Sequence, residues 1–285
     1  MKKILVPTDF SELAFYACDV AVQLARKVDA WVYLLHVDNS KGNEQQAQEK
    51  LEELKSHPVF KGVNVTVLYK KDKLEGSILS EAQNHEVDLI VMGSHGKGAK
   101  KGLVGSNTAR VVRLSNFPVL VIKSEEQEFT SKNIVFASNF YGEVDQVFPK
   151  IKDIAYAAEA NIHLLKVITP KNFENTAQSI KRIKQFAEEH RVENYTVNTY
   201  NHETKEQGIL QFADSVNADL IALVTHGRKG LSQMLLGSLA ENVANRSEIP
   251  VLSIKLPEKK PSDAILLSAA TIEELFKSTN YNLKD

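Results

Sequence analysis

The residues best suited to chemistry fall within one short stretch: Gly93, Gly96 and the run Gly105-Ser106-Asn107. Glycine lacks a Cβ, so backbone at Gly93 and Gly96 can approach a ligand closely and adopt positive φ. The Gly-Ser-Asn run stands where a helix should open. The free N–H groups and positive dipole end of a helix start suit a phosphate. Lys97, Lys100 and Lys101 share the loop and could add charge, although a solvated loop is the simpler role for them. Asp9, in Pro7-Thr8-Asp9, is a natural acceptor for a sugar hydroxyl. Capping of the helix that follows is an equally good reading of the same carboxylate.

This stretch occurs twice. Asp88-Leu89-Ile90-Val91-Met92-Gly93-Ser94-His95-Gly96 returns 131 positions later as Asp219-Leu220-Ile221-Ala222-Leu223-Val224-Thr225-His226-Gly227. Each copy runs on to a Gly-Ser pair and then to an apolar strand opened by proline, Pro118 in the first and Pro250 in the second. An apolar run ending in glycines before a helix is how an open parallel sheet builds a phosphate site. The elements around it repeat as well. Ile134-Val135-Phe136 matches Ile4-Leu5-Val6, and Leu164-Leu165-Lys166-Val167 matches Leu34-Leu35-His36-Val37, both at an offset of 130. Such shared order points to a tandem duplication.

Within the first copy, Ile4 to Val6 is a short apolar run closed by Pro7, which suits a strand covered on both faces. Ser11 can cap the next helix, with Leu13, Ala14, Ala17, Val20, Ala21 and Leu24 on its buried face. The pattern then predicts strands over 31–37, 63–69, 89–92 and 119–122, and helices over 45–57, 76–84 and 107–114. Alternation in 63–69 places that strand toward a sheet edge. The order β-α-β-α-β-α-β-α-β, with right-handed crossovers, gives a doubly wound parallel sheet with helices on both faces. The fold class is therefore α/β: two tandem Rossmann-like domains, each with a five-stranded parallel sheet, and a C-terminal helical extension. The boundaries fall at 1–126, 130–257 and 258–285, with a polar, acidic linker over 124–131. In the extension, Ser262 or Asp263 can cap a helix to about Lys277; docking on its own chain is the simpler reading, a partner contact the other. Pro149 falls inside the second copy's first helix and should kink or delay it.

Lysine and arginine total 35 against 36 acidic residues, so no global field favours nucleic acid or an anionic membrane. No run approaches the roughly 18 apolar residues of a membrane span. Met1-Lys2-Lys3-Ile4-Leu5-Val6-Pro7 reads as a strand and not a signal peptide, so a cytoplasmic chain is expected. The single cysteine, Cys18, excludes an intrachain disulfide and reads as a buried small apolar residue.

These motifs resemble the universal stress protein family over about residues 2–256. Nucleotide-binding members carry Gly-x2-Gly-x9-Gly-Ser/Thr after the fourth strand and an aspartate after the first. The first copy keeps Gly93-x2-Gly96, but eight residues separate Gly96 from Gly105, which displaces N–H donors by up to about 3.5 Å. The second keeps nine between Gly227 and Gly237, yet Val224 replaces the first glycine and Asn139 the aspartate. The resemblance implies ATP or ADP in the first copy, with or without Mg²⁺. Pro7, Thr8, Asp9, Val37, Met92, Gly93, Gly96, Gly105, Ser106 and Asn107 would form that site. Backbone at Val37 would read adenine, Asp9 and Gly93 would hold ribose, and Gly96 with Gly105 to Asn107 would hold phosphate. The second site is expected to be degenerate. It also implies that the two last strands pair inside the chain as a pseudo-dimer, with a homodimer of chains beyond that.

Other chemistry finds little support. The eight histidines show no metal-ligand spacing, and the repeated His95 and His226 fit loop-ordering hydrogen bonds better than catalysis or metal binding. No Gly-x-Ser-x-Gly elbow and no Walker-type loop is present. The expected function is a nucleotide-binding regulatory stress-response protein with no more than slow ATP hydrolysis. The alternative is a dimerisation or partner-docking module whose sites have decayed; a small-molecule or metal carrier using the altered second pocket is a third possibility.

Overall fold

The computed structural model describes residues 1–38, 43–94, 104–123, 129, 131–225 and 236–256. The first repeat runs β1 (Lys3–Pro7), α1 (Glu12–Val28), β2 (Trp31–Val37), α2 (Glu44–Lys55), β3 (Asn64–Lys70), α3 (Leu74–Asn84), β4 (Leu89–Gly93), α4 (Ser106–Leu114) and β5 (Val119–Ile122). The second runs β6 (Asn133–Ala137), α5 (Phe148–Ala157), β7 (Asn161–Ile168), α6 (Thr176–Glu189), β8 (Tyr195–Asn201), α7 (Lys205–Ser215), β9 (Leu220–Thr225), α8 (Leu236–Arg246) and β10 (Val251–Lys255). The predicted order holds in both, with element ends shifted by one or two residues. The predicted helix of the C-terminal extension lies outside the described residues.

All ten strands join one sheet in the order β3-β2-β1-β4-β5-β10-β9-β6-β7-β8. Within each repeat the pairs are parallel, and each reverses strand order between its first and fourth strands. The repeats meet where β5 and β10 pair antiparallel, Leu120 opposite Leu252. Both are buried along that contact and apolar there except for Ser253, as expected for strands that would otherwise be bare edges. The outer strands β3 and β8 are only partly buried, as the alternation in 63–69 predicts.

Helices cover both faces, and the two apolar layers run unbroken across the β5–β10 seam. One layer contains Val6, Leu120, Phe136 and Leu252; the other contains Leu5, Val121, Val135 and Val251. Cys18 sits inside the first, where burial pushes its thiol up to about 12. Phe129 is buried, and its N–H donates to Gln23 on α1 at 2.6 Å. Pro149 has the predicted effect: α1 spans 17 residues, whereas α5 spans 10 and follows a 3-10 turn at Gly142–Gln146.

Polar contacts reinforce the seam. Lys123 Nζ donates to the Ala244 carbonyl on α8 at 2.6 Å, and Lys255 Nζ donates to Asn116 at 2.9 Å. Burial lowers the Lys123 ammonium from its ordinary 10.5 to about 8. Between those values the unfolded chain keeps this proton and the folded chain releases it, so Lys123 makes stability rise with pH there. Chemical denaturation across this pH range should show the rise in the native chain and a weaker one in Lys123→Met.

Candidate functional site

The cleft lies at the carboxyl ends of β1 and β4, where strand order reverses. Pro7 ends β1, and Thr8 continues its line, its N–H bonded to the Leu35 carbonyl at 2.8 Å. The chain then turns sharply through Phe10, a non-glycine residue with φ of 59°. Two side chains stabilise that conformation: Thr8 Oγ1 accepts from the Phe10 N–H at 3.1 Å, and Asp9 Oδ1 accepts from the Ser11 N–H at 3.0 Å. Ser11 is the true N-cap of α1, accepting from Ala14. Asp9 therefore sets the turn ahead of the helix and does not cap it. His36 on β2 braces the loop, with Nδ1 donating to the Thr8 carbonyl at 2.8 Å and its ring 4.6 Å from that of Phe10.

Across the cleft, the ends of the glycine-rich loop are tied together. Ser94 donates to Ile122, and the Gly105 N–H donates to the Ser94 carbonyl at 2.6 Å. Thr108 Oγ1 donates to the Gly93 carbonyl at 3.0 Å. The Val104 N–H donates to Asn245 Oδ1 on α8 at 3.2 Å, so the second repeat helps hold the first repeat's loop. Gly105 is the N-cap of α4, and among the described residues no side chain caps the first turn.

Between these loops opens a cavity of ≈ 220 Å³. Seven predicted site residues line it: Pro7, Thr8, Asp9, Val37, Met92, Gly93 and Asn107. Ala14, Leu74, Ile78 and Thr108 complete the wall. Gly105 and Ser106 stand at the start of α4, outside the lining. Gly96, His95, Lys97, Lys100 and Lys101 lie outside the described residues, as do His226 and Gly227. The missed wall residues had a partial signal: Leu74 and Ile78 share one face at helical spacing, but nothing in the pattern aims that face at the cleft. The cavity thus has an apolar floor and a polar rim, the usual makeup of a small-molecule site. Among the described residues, no group of three or more His, Cys, Asp or Glu is placed to hold a metal.

The model of the universal stress protein family matches residues 1–123 and again 130–255. The chain belongs to the universal stress protein family. A universal stress protein of Methanocaldococcus jannaschii, MJ0531, is 31% identical over 144 residues, covering 45% of this chain and 85% of its own. Slr1230 of Synechocystis is 22% identical over 297 residues, covering 90% of this chain and 100% of its own. Among solved structures, a universal stress protein from Archaeoglobus fulgidus superposes with a TM-score of 0.71 at 21% identity, covering 90% of this chain and 98% of that one. The tandem arrangement is therefore shared in fold with another universal stress protein.

The second universal stress protein repeat keeps the scaffold and alters the cleft. Phe140 repeats the left-handed turn, with φ of 57°, and its N–H donates to Ser138 Oγ at 3.2 Å, as Phe10 does to Thr8. Yet the matching cavity measures only ≈ 80 Å³. Val224, Tyr141 and Leu239 line it where the first repeat has Gly93, Ser11 and Asn107. Larger side chains account for the lost volume.

Gly93 needs its missing Cβ for a reason different from the expected one. It has no positive φ. A Cβ there would lie 3.0 Å from Leu13 Cγ and 3.1 Å from the Leu13 carbonyl oxygen, so a side chain would require α1 to give by a few tenths of an ångström. In the second repeat, where Val224 takes the place of this glycine, a 3-10 turn at Gly142–Gln146 replaces the first turns of that helix. Gly93→Val should accordingly destabilise the fold by about 1–3 kcal/mol through overpacking. Gly76, in the exposed first turn of α3, has nothing within 4 Å of a built Cβ, so Gly76→Ala should stabilise by roughly 0.5–1 kcal/mol. Urea unfolding of the two variants beside the native chain checks both signs.

Proposed function

We propose that this chain is a cytoplasmic regulatory stress-response protein that binds ATP or ADP, with or without Mg²⁺, in its first repeat and turns it over slowly or not at all. The observation that carries this reading is the convergence of Pro7, Thr8, Asp9, Val37, Met92, Gly93 and Asn107 on one cleft at the strand-order reversal. The apolar floor of Val37, Ile78 and Met92 suits a purine, with adenine read by backbone at Val37. Asp9 suits ribose hydroxyls, since its turn-setting hydrogen bond already fixes its direction. The N–H groups of Ser106 and Asn107, at a helix start without a side-chain cap, suit phosphate. Gly105 directs its own N–H to Ser94 and serves better as a loop closure than as a phosphate donor. Gly96 would add to the phosphate end. The domains follow the repeats, 1–126 and 130–257, and chains pair further as a homodimer.

The second repeat is read as unable to take a nucleotide, because its cavity is ≈ 80 Å³ against ≈ 220 Å³. Isothermal titration of ATP and Mg²⁺ into the nucleotide-stripped chain should show one site. Asp9→Asn, which preserves the turn and removes the charge, should weaken binding by about 1–3 kcal/mol, and Asn139→Ala should leave it nearly unchanged. Absence of heat at millimolar ATP, or equal losses from the two substitutions, would overturn the reading.

A further inference from the structure

The second repeat's cleft differs from the first in charge as well as in size. Where the first repeat places Asp9 and Leu74, the second places Asn139 and Lys205. A carboxylate is lost and an ammonium gained, so the sign of the cleft is inverted. Lys205 is an uncomfortable cation. It is partly buried, and it is the first residue of α7, where the helix dipole disfavours positive charge. Among the described residues its ammonium has no hydrogen-bond or ion-pair partner. Burial, and then the charge of Lys166, lower its proton affinity.

The neighbours do not relieve it. Lys166, on β7 where the first repeat has His36, is buried and paired with Glu174. Arg182 takes the other oxygen of the same carboxylate at 2.5 Å. Burial pushes the Glu174 carboxyl up, but the hydrogen bonds from Lys166 and Arg182 outweigh it and hold the group below its ordinary range. The ring of Tyr141, which lines the cleft, lies 4.2 Å from the Arg182 guanidinium and 5.7 Å from the Lys166 ammonium. Lys166 and Arg182 thus share one carboxylate, and Lys205, without a partner among the described residues, lines the cavity. At ≈ 80 Å³ against ≈ 220 Å³, the second cleft is the smaller of the two and has room for a small ion.

We propose that the second repeat's cleft is a binding site for a small oxyanion, a carboxylate or phosphate group, held by Lys205 and Asn139. Its apolar wall of Val144, Val167, Ile209 and Val224 would seat a short carbon chain behind a carboxylate. This site is separate from the first-repeat cleft and stands whether or not that cleft takes a nucleotide.

The test is thermal unfolding and isothermal titration of the full chain with sodium acetate and with sodium phosphate, each against sodium chloride at equal ionic strength. At least one anion should bind saturably and raise the midpoint beyond chloride. Acetate alone responding assigns a carboxylate site, and phosphate alone a phosphoryl site. Lys205→Met should weaken the response about tenfold or more, the worth of a charge-assisted hydrogen bond. Lys205→Arg should retain it, and the ATP titration should be the same in both variants and the native chain. No difference from chloride with either anion in the native chain would overturn the proposal. An equal response in native and Lys205→Met chains would do so too, since it would mark surface binding.

Discussion

The antiparallel pairing of β5 with β10 is the constraint on which the rest of the molecule depends. Each repeat alone would end in an apolar strand with unpaired backbone N–H and C=O groups. Joining the two strands satisfies those groups and makes both apolar layers continuous from one repeat to the other. The same junction sets α4 against α8, and that packing brings Asn245 to the Val104 amide. A contact at the seam thus reaches the edge of the first-repeat cleft. The duplication is therefore more than two modules on a string, because one repeat completes the loop of the other.

Given one backbone used twice, the clefts diverge through a handful of side chains. The left-handed turns at Phe10 and Phe140 show that the loop after the first strand is preserved. What changes is bulk and charge. Val224, Tyr141 and Leu239 narrow the second cleft, while Asn139 and Lys205 replace the acid and the apolar residue of the first. The two changes act in the same direction: less room for a base and ribose, and a stronger pull on a small anion. Pro149 is part of the same divergence. With it α5 starts late, after a 3-10 turn, whereas α1 runs close to Gly93 in the first repeat.

Much of this was legible in the chain itself. Burial period along each segment determined the element order, the helical faces and the edge position of β3, because a strand alternates and a helix recurs at 3.6 residues wherever one side is covered. Repetition of those periods determined the duplication, and Pro149, which cannot donate a hydrogen bond, determined the late helix start. The cleft's position followed from glycines and an acid at the ends of strands that had to be neighbours. Tertiary structure alone decided the rest. Gly93 is favoured by the close approach of Leu13, 80 positions away in the chain, and not by its own φ. Phe129, inside a polar linker, is buried because the fold carries it over the core. Lys166, Glu174, Arg182 and Lys205 lie on separate elements, and periodicity reports which side of an element is buried without saying whose side chains meet there. Distances and charge balance between remote residues are properties of packing, so the character of the second cleft became visible only once the chain was folded.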